Sequence, residues 1–286
     1  MRYGITMFAT DLSCDVVELA REAEARGLES LWLPEHTHIP VSRRTPPPTG
    51  DAELAEEYRR CLDPLVALAA AASVTTSLRL GTGILLAAQR DPIVTAKAVA
   101  TLDHLSGGRA ALGVGFGWNE DEIAQHGVAM ADRRDVAREH LLAMQALWAE
   151  DEASFVGRHV QLAPSWSWPK PTQRSVDGRP AVPVLHGGAA GPKLFSHIAE
   201  YGDGWIPIGG AGLTDAIPRL REVVAEAGRD PSTLEIIPFG SLPDPGKLDH
   251  FDQIGVTECV FRLPSAPRDV VLPLLDEQAA LVASRR

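Results

Sequence analysis

The sequence predicts an α/β protein folded as a single (β/α)8 TIM barrel over residues 1–286, with long loops after strand 2 and before strand 5. Three observations predict it. Short β-branched or apolar runs alternate with longer segments of 3.6-residue period from one end of the chain to the other, the pattern of a parallel sheet. Eight such units can be read, the number a closed barrel takes. A length of 286 residues is ordinary for one barrel and demands no second domain, and no internal repeat appears.

The first strand is read at Tyr3–Met7, followed by a helix in which Val16, Leu19, Ala20 and Ala23 share one face. Ser30–Leu33 is the second strand. Residues 38–60 form a long loop, because Pro46-Pro47-Pro48 and Thr49-Gly50 bar regular structure there. Leu78–Ile84 is the third strand, and the helix after it stops at Ser106-Gly107-Gly108, where a glycine can take the left-handed cap. The fourth strand, Arg109–Val114, leads towards a helix with Ala137, Leu141, Met144 and Trp148 on one face. Residues 151–180 hold Trp166, Trp168 and several prolines with little periodicity, and are read as a second long loop. Val182–His186, Gly204–Pro207, Leu234–Pro238 and Val256–Phe261 complete the eight strands. Loops of such length tend to be lids or binding loops. The first leaves from the catalytic face; the second starts at the opposite end and must climb back to reach it.

A net charge of -11 argues against nucleic acid or an anionic membrane as the main partner, but leaves room for an anionic small ligand held by local donors. No run approaches eighteen apolar residues, and Met1 opens directly into strand-like sequence, so neither a spanning helix nor a signal peptide is expected. Cys14, Cys61 and Cys259 are scattered and odd in number, which fits a reducing, cytoplasmic setting rather than disulfides or zinc.

In a barrel the reacting groups sit just past the strand ends. The second strand runs into Pro34-Glu35-His36-Thr37-His38. A histidine there can move a proton near neutral pH, and Glu35 beside it could hold its ring, so His36 is the expected general acid–base with Glu35 as partner. His36, His38 and His186 could alternatively supply three nitrogens to a metal hydrolase. Gly113-x-Gly115-x-Gly117 lacks the full dinucleotide spacing and points instead to close backbone approach of a ring at Gly115. Two readings stay open for Trp118, pocket wall or core aromatic, and two for Asn119, pocket residue or helix N-cap. Gly187-Gly188, ahead of a helix near Gly191-Pro192-Lys193, suits either a phosphate seat or a tight strand-to-helix turn.

The segment Ala100-Thr101-Leu102-Asp103-His104-Leu105-Ser106-Gly107-Gly108-Arg109, continued by Gly113-Val114-Gly115 and Gly117-Trp118-Asn119-Glu120, resembles the signature region of the luciferase-like monooxygenase superfamily. Leu31-Trp32-Leu33-Pro34-Glu35-His36 and Gly187-Gly188 fall where that family would place them. The similarity spans nearly the whole chain and is closest to the branch that uses the deazaflavin coenzyme F420, with FMN as the alternative cofactor. The resemblance implies a non-prolyl cis peptide at Gly83-Ile84 that props the flavin ring, and a cofactor site including Gly83, Ile84, Gly115, Trp118, Asn119, His186, Gly187, Gly188 and Lys193. It implies hydride transfer to or from a small organic substrate, no resident metal, and a homodimer as the assembly to test. Arg43, Arg44, Arg174 and Arg179 in the long loops are secondary phosphate candidates, and Trp166 and Trp168 are candidates to shape the substrate pocket. A non-catalytic flavin-sequestering protein is a further alternative.

Overall fold

The computed structural model describes residues 1–46 and 53–286, so Pro47, Pro48, Thr49 and Gly50 of the first long loop lie outside the described residues. Strand β1 (Arg2–Thr6) leads to α1 (Val16–Ala25), where Asp15 caps the helix by accepting from the amides of Val17 and Glu18. Val16, Leu19, Ala20 and Ala23 are its buried face. Strand β2 (Ser30–Leu33) is buried throughout. The long segment after it carries a short helix, α2 (Glu57–Arg60), before α3 (Pro64–Ala72). Next come β3 (Arg79–Leu86) and α4 (Pro92–Ser106), which ends at Gly107 with φ 71°, the expected left-handed cap. Then follow β4 (Ala110–Gly115), α5 (Glu120–Gln125) and α6 (Arg133–Ala149), the last burying Ala137, Leu141, Met144 and Trp148.

Residues 151–180 are not a plain loop. Strands β5 (Ala153–Val156) and β6 (Gln161–Ser165) pair there as an antiparallel hairpin. Both are short and Pro164 lies inside the second, so no period-2 signal builds up. Trp166 and Trp168 are 80% and 59% exposed, which puts them on the outer surface and not in a pocket. The chain continues through β7 (Val184–Gly187), α7 (Pro192–Tyr201), β8 (Gly204–Ile206) and α8 (Leu213–Glu226). Of the expected strand Leu234–Pro238 only β9 (Glu235–Ile236) is regular, and a further strand beyond those bounds, β10 (Phe239–Ser241), follows before α9 (Pro245–Ile254), β11 (Glu258–Arg262) and α10 (Arg268–Ala283).

Nine parallel strands form one curled sheet in the order β10-β11-β1-β2-β3-β4-β7-β8-β9. The two ends of that order are adjacent stretches of chain, separated only by Ile237 and Pro238. Ile237 N–H donates to the Trp205 carbonyl at 2.9 Å, while the Pro238 carbonyl accepts from Val260 N–H at 3.1 Å, so the edges of the curl meet. Proline has no N–H to give the ladder, which accounts for the break between β9 and β10. Among the described residues no helix is long and apolar enough to cross a membrane.

Side chains alternate across each strand. Trp32, Leu185, Ile206, Phe239 and Val260 cluster inside the curl, whereas Leu31, Leu33 and Val184 join the core beneath the helices. The N-terminal end of the curl is closed by charge. Glu258, fully buried, accepts from Ser30 Oγ at 2.5 Å, Trp32 Nε1 at 2.8 Å, Arg2 Nε at 3.1 Å and Arg79 at 3.2 Å. Arg79 also pairs with Glu235 at 2.7 Å. A carboxylate so deeply buried is tolerated only with partners of this kind. The opposite end, where the strands finish, is left for a site.

Candidate functional site

Past the end of β2, Pro34 carries the chain outward and Glu35 and His36 diverge. Glu35 Oε2 accepts from the Leu86 amide at 2.7 Å, and Oε1 meets Arg90 Nε at 2.5 Å. Arg90 is held in turn by Asp63 at 2.5 Å. The expected pairing of Glu35 with His36 is therefore corrected: neighbouring side chains leave an extended backbone on opposite sides, and Glu35 ties β2 to β3. His36 finds its carboxylate elsewhere. Its Nδ1 lies 2.9 and 3.0 Å from the two oxygens of Glu122 on α5. His36 is 9% exposed and Glu122 not at all. A carboxylate there makes Nδ1 the donor and leaves Nε2, which has no protein partner among the described residues, to a ligand.

Aromatic rings wall the imidazole. Tyr58 on α2 and Trp118 lie 5.3 and 5.9 Å from it, and Phe8 lies 4.8 Å from Tyr58. Trp118 thus stands half-buried beside His36, past the end of β4. Helix α2 is strapped over this side: Arg60 pairs with Asp11 at 2.6 Å, Arg262 with Glu57 at 3.1 Å, and Leu62 N–H donates to the Ala9 carbonyl at 2.9 Å.

The β3–β4 register shifts between Thr82 and Leu85, and the Gly83–Ile84 peptide there is cis. Ile84 fills the space between two glycines. A Cβ on Gly115 would stand 1.9 Å from Ile84 Cδ1, and one on Gly187 would stand 2.9 Å from its Cγ2. The expected approach of a ring to Gly115 is corrected accordingly, since the room that glycine leaves is taken by Ile84. Asn119 occupies the N-cap position of α5 but makes no capping bond, which corrects that reading of it. Both its amide atoms are buried without a partner, and the residue is 1% exposed.

At the end of β7, Gly188 has φ 143°, and its carbonyl accepts from Trp205 Nε1 at 2.9 Å. Helix α7 opens on Gly191 and Pro192 with no side-chain cap, so its first amides remain unpaired. Lys193 is exposed in that first turn. His186 is not with them. Strand alternation turns Leu185 inward and His186 outward, into a packed nest with Tyr201 at 4.8 Å, Phe116 at 6.3 Å and His197 at 6.4 Å. It is wholly buried, neither ring nitrogen has a partner, and burial, assisted by His197, pushes its pKa down to about 3. Its expected contact with a cofactor is corrected for that reason.

The metal reading falls with it. His36 is bonded to Glu122, His38 Nε2 to Gln125 Oε1 at 2.6 Å, and His186 lies in the helix layer. Among the described residues no group of three or more His, Cys, Asp or Glu could hold a metal ion. Of the loop arginines, Arg44 pairs with Asp121 at 3.2 Å and Arg179 with Asp177 at 2.7 Å, while Arg174 reaches only the Gly178 carbonyl. Arg43 Nε is buried without a partner.

Sequence reasoning missed Glu122, Tyr58 and Arg134. Glu122 reads as one of three acids in a helical first turn. The available signal was direction: helical side chains lean towards the N-terminus, and this helix starts at a strand end, so its third residue reaches back over the mouth. Tyr58 carried no pattern. Arg134, in the first turn of α6, lies 4.4 Å over the Phe116 ring.

Over residues 13–242 the chain matches the family described as luciferase-like monooxygenase. It is similar to an uncharacterized protein of Mycobacterium tuberculosis, 43% identical over 286 residues and covering 99% of each chain. It is also similar to the F420-dependent glucose-6-phosphate dehydrogenase of Kineococcus radiotolerans, 30% identical over 226 residues, which cover 75% of this chain and 59% of that one. Among solved structures, the monooxygenase RslO1 from Streptomyces bottropensis shares the fold with a TM-score of 0.80 at 19% identity, covering 100% of this chain and 99% of that one.

Proposed function

The chain belongs to the luciferase-like monooxygenase family, and we propose that it is an oxidoreductase working with the deazaflavin coenzyme F420 on a small organic substrate, with His36 as general acid–base. The observation that carries the proposal is the buried His36–Glu122 pair at the C-terminal mouth of the sheet. In this reading the curl is a (β/α)8 barrel in one domain, with β9 and β10 counted as one strand. The free cysteines Cys14, Cys61 and Cys259 fit a cytoplasmic protein, and a homodimer is the assembly to test.

The residues present fit such a cofactor. The amide of Asn119 is buried with all its hydrogen-bonding capacity unused, a cost of about 1–3 kcal/mol that a bound polar group would relieve. The uncapped start of α7 offers its first amides, and Lys193 a cation, to a phosphate beside the Gly187-Gly188 turn, where the Gly188 N–H is itself given to the Ile206 carbonyl at 3.4 Å. Ile84, wedged at the cis bulge, would back the ring. When bound, the deazaflavin supplies a ring carbon that gives or takes a hydride. Glu122 accepts from Nδ1–H and so presents Nε2 to the substrate heteroatom, where it gives or takes the accompanying proton. When His36 becomes the imidazolium, the carboxylate of Glu122 offsets its charge. Phe8, Tyr58 and Trp118 exclude water around that atom.

The name of the Kineococcus relative supports the deazaflavin. The description of the family itself favours a second reading, an FMN-dependent monooxygenase at the same site. Parallel titrations of the purified protein with F420 and FMN, followed by ring fluorescence, decide between them. Micromolar or tighter binding of F420 with much weaker FMN binding is expected; the reverse order moves the protein to the second reading. Binding without turnover on any reductant would make it a flavin-sequestering protein.

A further inference from the structure

Arg133 and Arg134 open α6 on the side of the mouth where β4 meets β7. Val114 pairs with His186 in that ladder, so Phe116 and Gly188, each two residues further on, leave the sheet side by side. The Arg134 guanidinium lies 4.4 Å over the Phe116 ring, and that ring lies 5.1 Å from His197, one turn along α7 from Lys193. The guanidinium therefore covers Phe116, whose ring reaches α7 through His197. Arg134 Nη1 and Arg133 Nε are buried without a hydrogen-bond partner. Among the described residues no carboxylate comes within 4.0 Å of Arg133, Arg134 or Lys193, in a chain with 38 acidic and 27 basic residues. The contrast lies on the same two helices. Arg138, one turn deeper on α6, is matched by Glu200 of α7, while Arg134, one turn nearer the mouth, is left open.

We propose that Arg134, supported by Arg133, receives the anionic end of the bound cofactor, and that this corner takes a ligand bearing more than one negative charge. The proposal rests on the cofactor reading above. Stacking on Phe116 fixes the plane of the guanidinium, which leaves its fork of N–H donors set for phosphate or carboxylate oxygens. Two guanidiniums, Lys193 and a helix start supply more positive potential than a single monoanion needs.

The test compares F420 with its riboside, which lacks the phosphate and the acidic chain, by ring fluorescence at several salt concentrations. Wild-type protein is expected to prefer F420 by about 10- to 100-fold, the worth of a charge-assisted contact, with the preference shrinking as salt is added. Arg134→Gln should bring the ratio near one and leave riboside affinity unchanged, and Arg134→Lys should keep part of it. Circular dichroism checks the fold, and Arg133→Gln with Arg134→Lys carries the same measurement should Arg134→Gln not fold. Full preference in folded Arg134→Gln, or in both substitutes, overturns the proposal. If wild type binds neither deazaflavin, the F420 reading fails alone, and FMN against riboflavin decides the arginine. Loss of that discrimination in Arg134→Gln upholds the proposal; its persistence, or no binding of any of the four, overturns it.

Discussion

His186 gives the sharpest stability prediction. Its imidazole is wholly buried among Tyr201, Phe116 and His197, with no partner for either nitrogen, and its pKa is pushed from 6.5 down to about 3. A depressed folded-state pKa means that the unfolded chain binds the proton more readily. The stabilisation is fully present above pH 6.5 and is lost as pH falls towards 3. Three and a half pH units at about 1.4 kcal/mol each put the total loss near 5 kcal/mol, as an order of magnitude. Urea unfolding of the wild type and of His186→Leu, from pH 7.5 down to 4, reads this directly. Carboxylates titrate in both proteins, so the difference between the two curves isolates the imidazole. Between pH 6.5 and 4 the wild type should lose about 3 kcal/mol more than the variant. Parallel curves would refute the reasoning, because they would mean that the nest admits the charged ring at no cost.

Three other outcomes are expected. His36→Ala should lower turnover by about 10²–10⁴ while keeping most cofactor affinity, and Glu122→Gln should lower kcat with little change in substrate KM; single-turnover kinetics checks both. Gly115→Ala should cost about 1–3 kcal/mol by driving a methyl group into Ile84 Cδ1, and Ile84→Val, which removes that atom, should recover much of the loss in a double-mutant cycle by denaturant unfolding. Dialysis against a chelator should leave turnover and thermal stability unchanged, because His36 and His38 are engaged by Glu122 and Gln125 and His186 lies in the helix layer; loss of activity with release of a stoichiometric metal would restore the hydrolase reading.

Local features of the chain proved the most legible. Burial patterns at Val16–Ala23 and Ala137–Trp148, and the stop at Gly107, follow from periodicity and cap chemistry that act within a few residues. The position of His36 at a strand end is equally local. Its carboxylate is not: Glu122 is 86 residues away and reaches His36 only because α5 starts beside β4. Adjacency in sequence suggested Glu35, and strand geometry sends that side chain to Arg90 instead. His186 misled in the same manner, since a strand-end histidine faces the mouth or the helices according to a parity that one residue of register reverses. The β5–β6 hairpin escaped because its strands are held by each other and by little of their own pattern.

The charge cluster that floors the sheet bears on how the fold is reached. Glu258 on β11 collects Arg2, Ser30, Trp32 and Arg79, donors from three strands that all precede it by more than 170 residues. Arg2 and Arg79 also pair with Glu235, but Glu258 itself is fully buried and can dock only once Arg2, Ser30, Trp32 and Arg79 are in place to meet it, since otherwise it would be an unmatched buried ion. Assembly is thereby biased towards all or none: a curl lacking its last strand loses more stability than that strand's share of it. Truncation before β11 should yield a collapsed, aggregation-prone chain rather than a smaller native one.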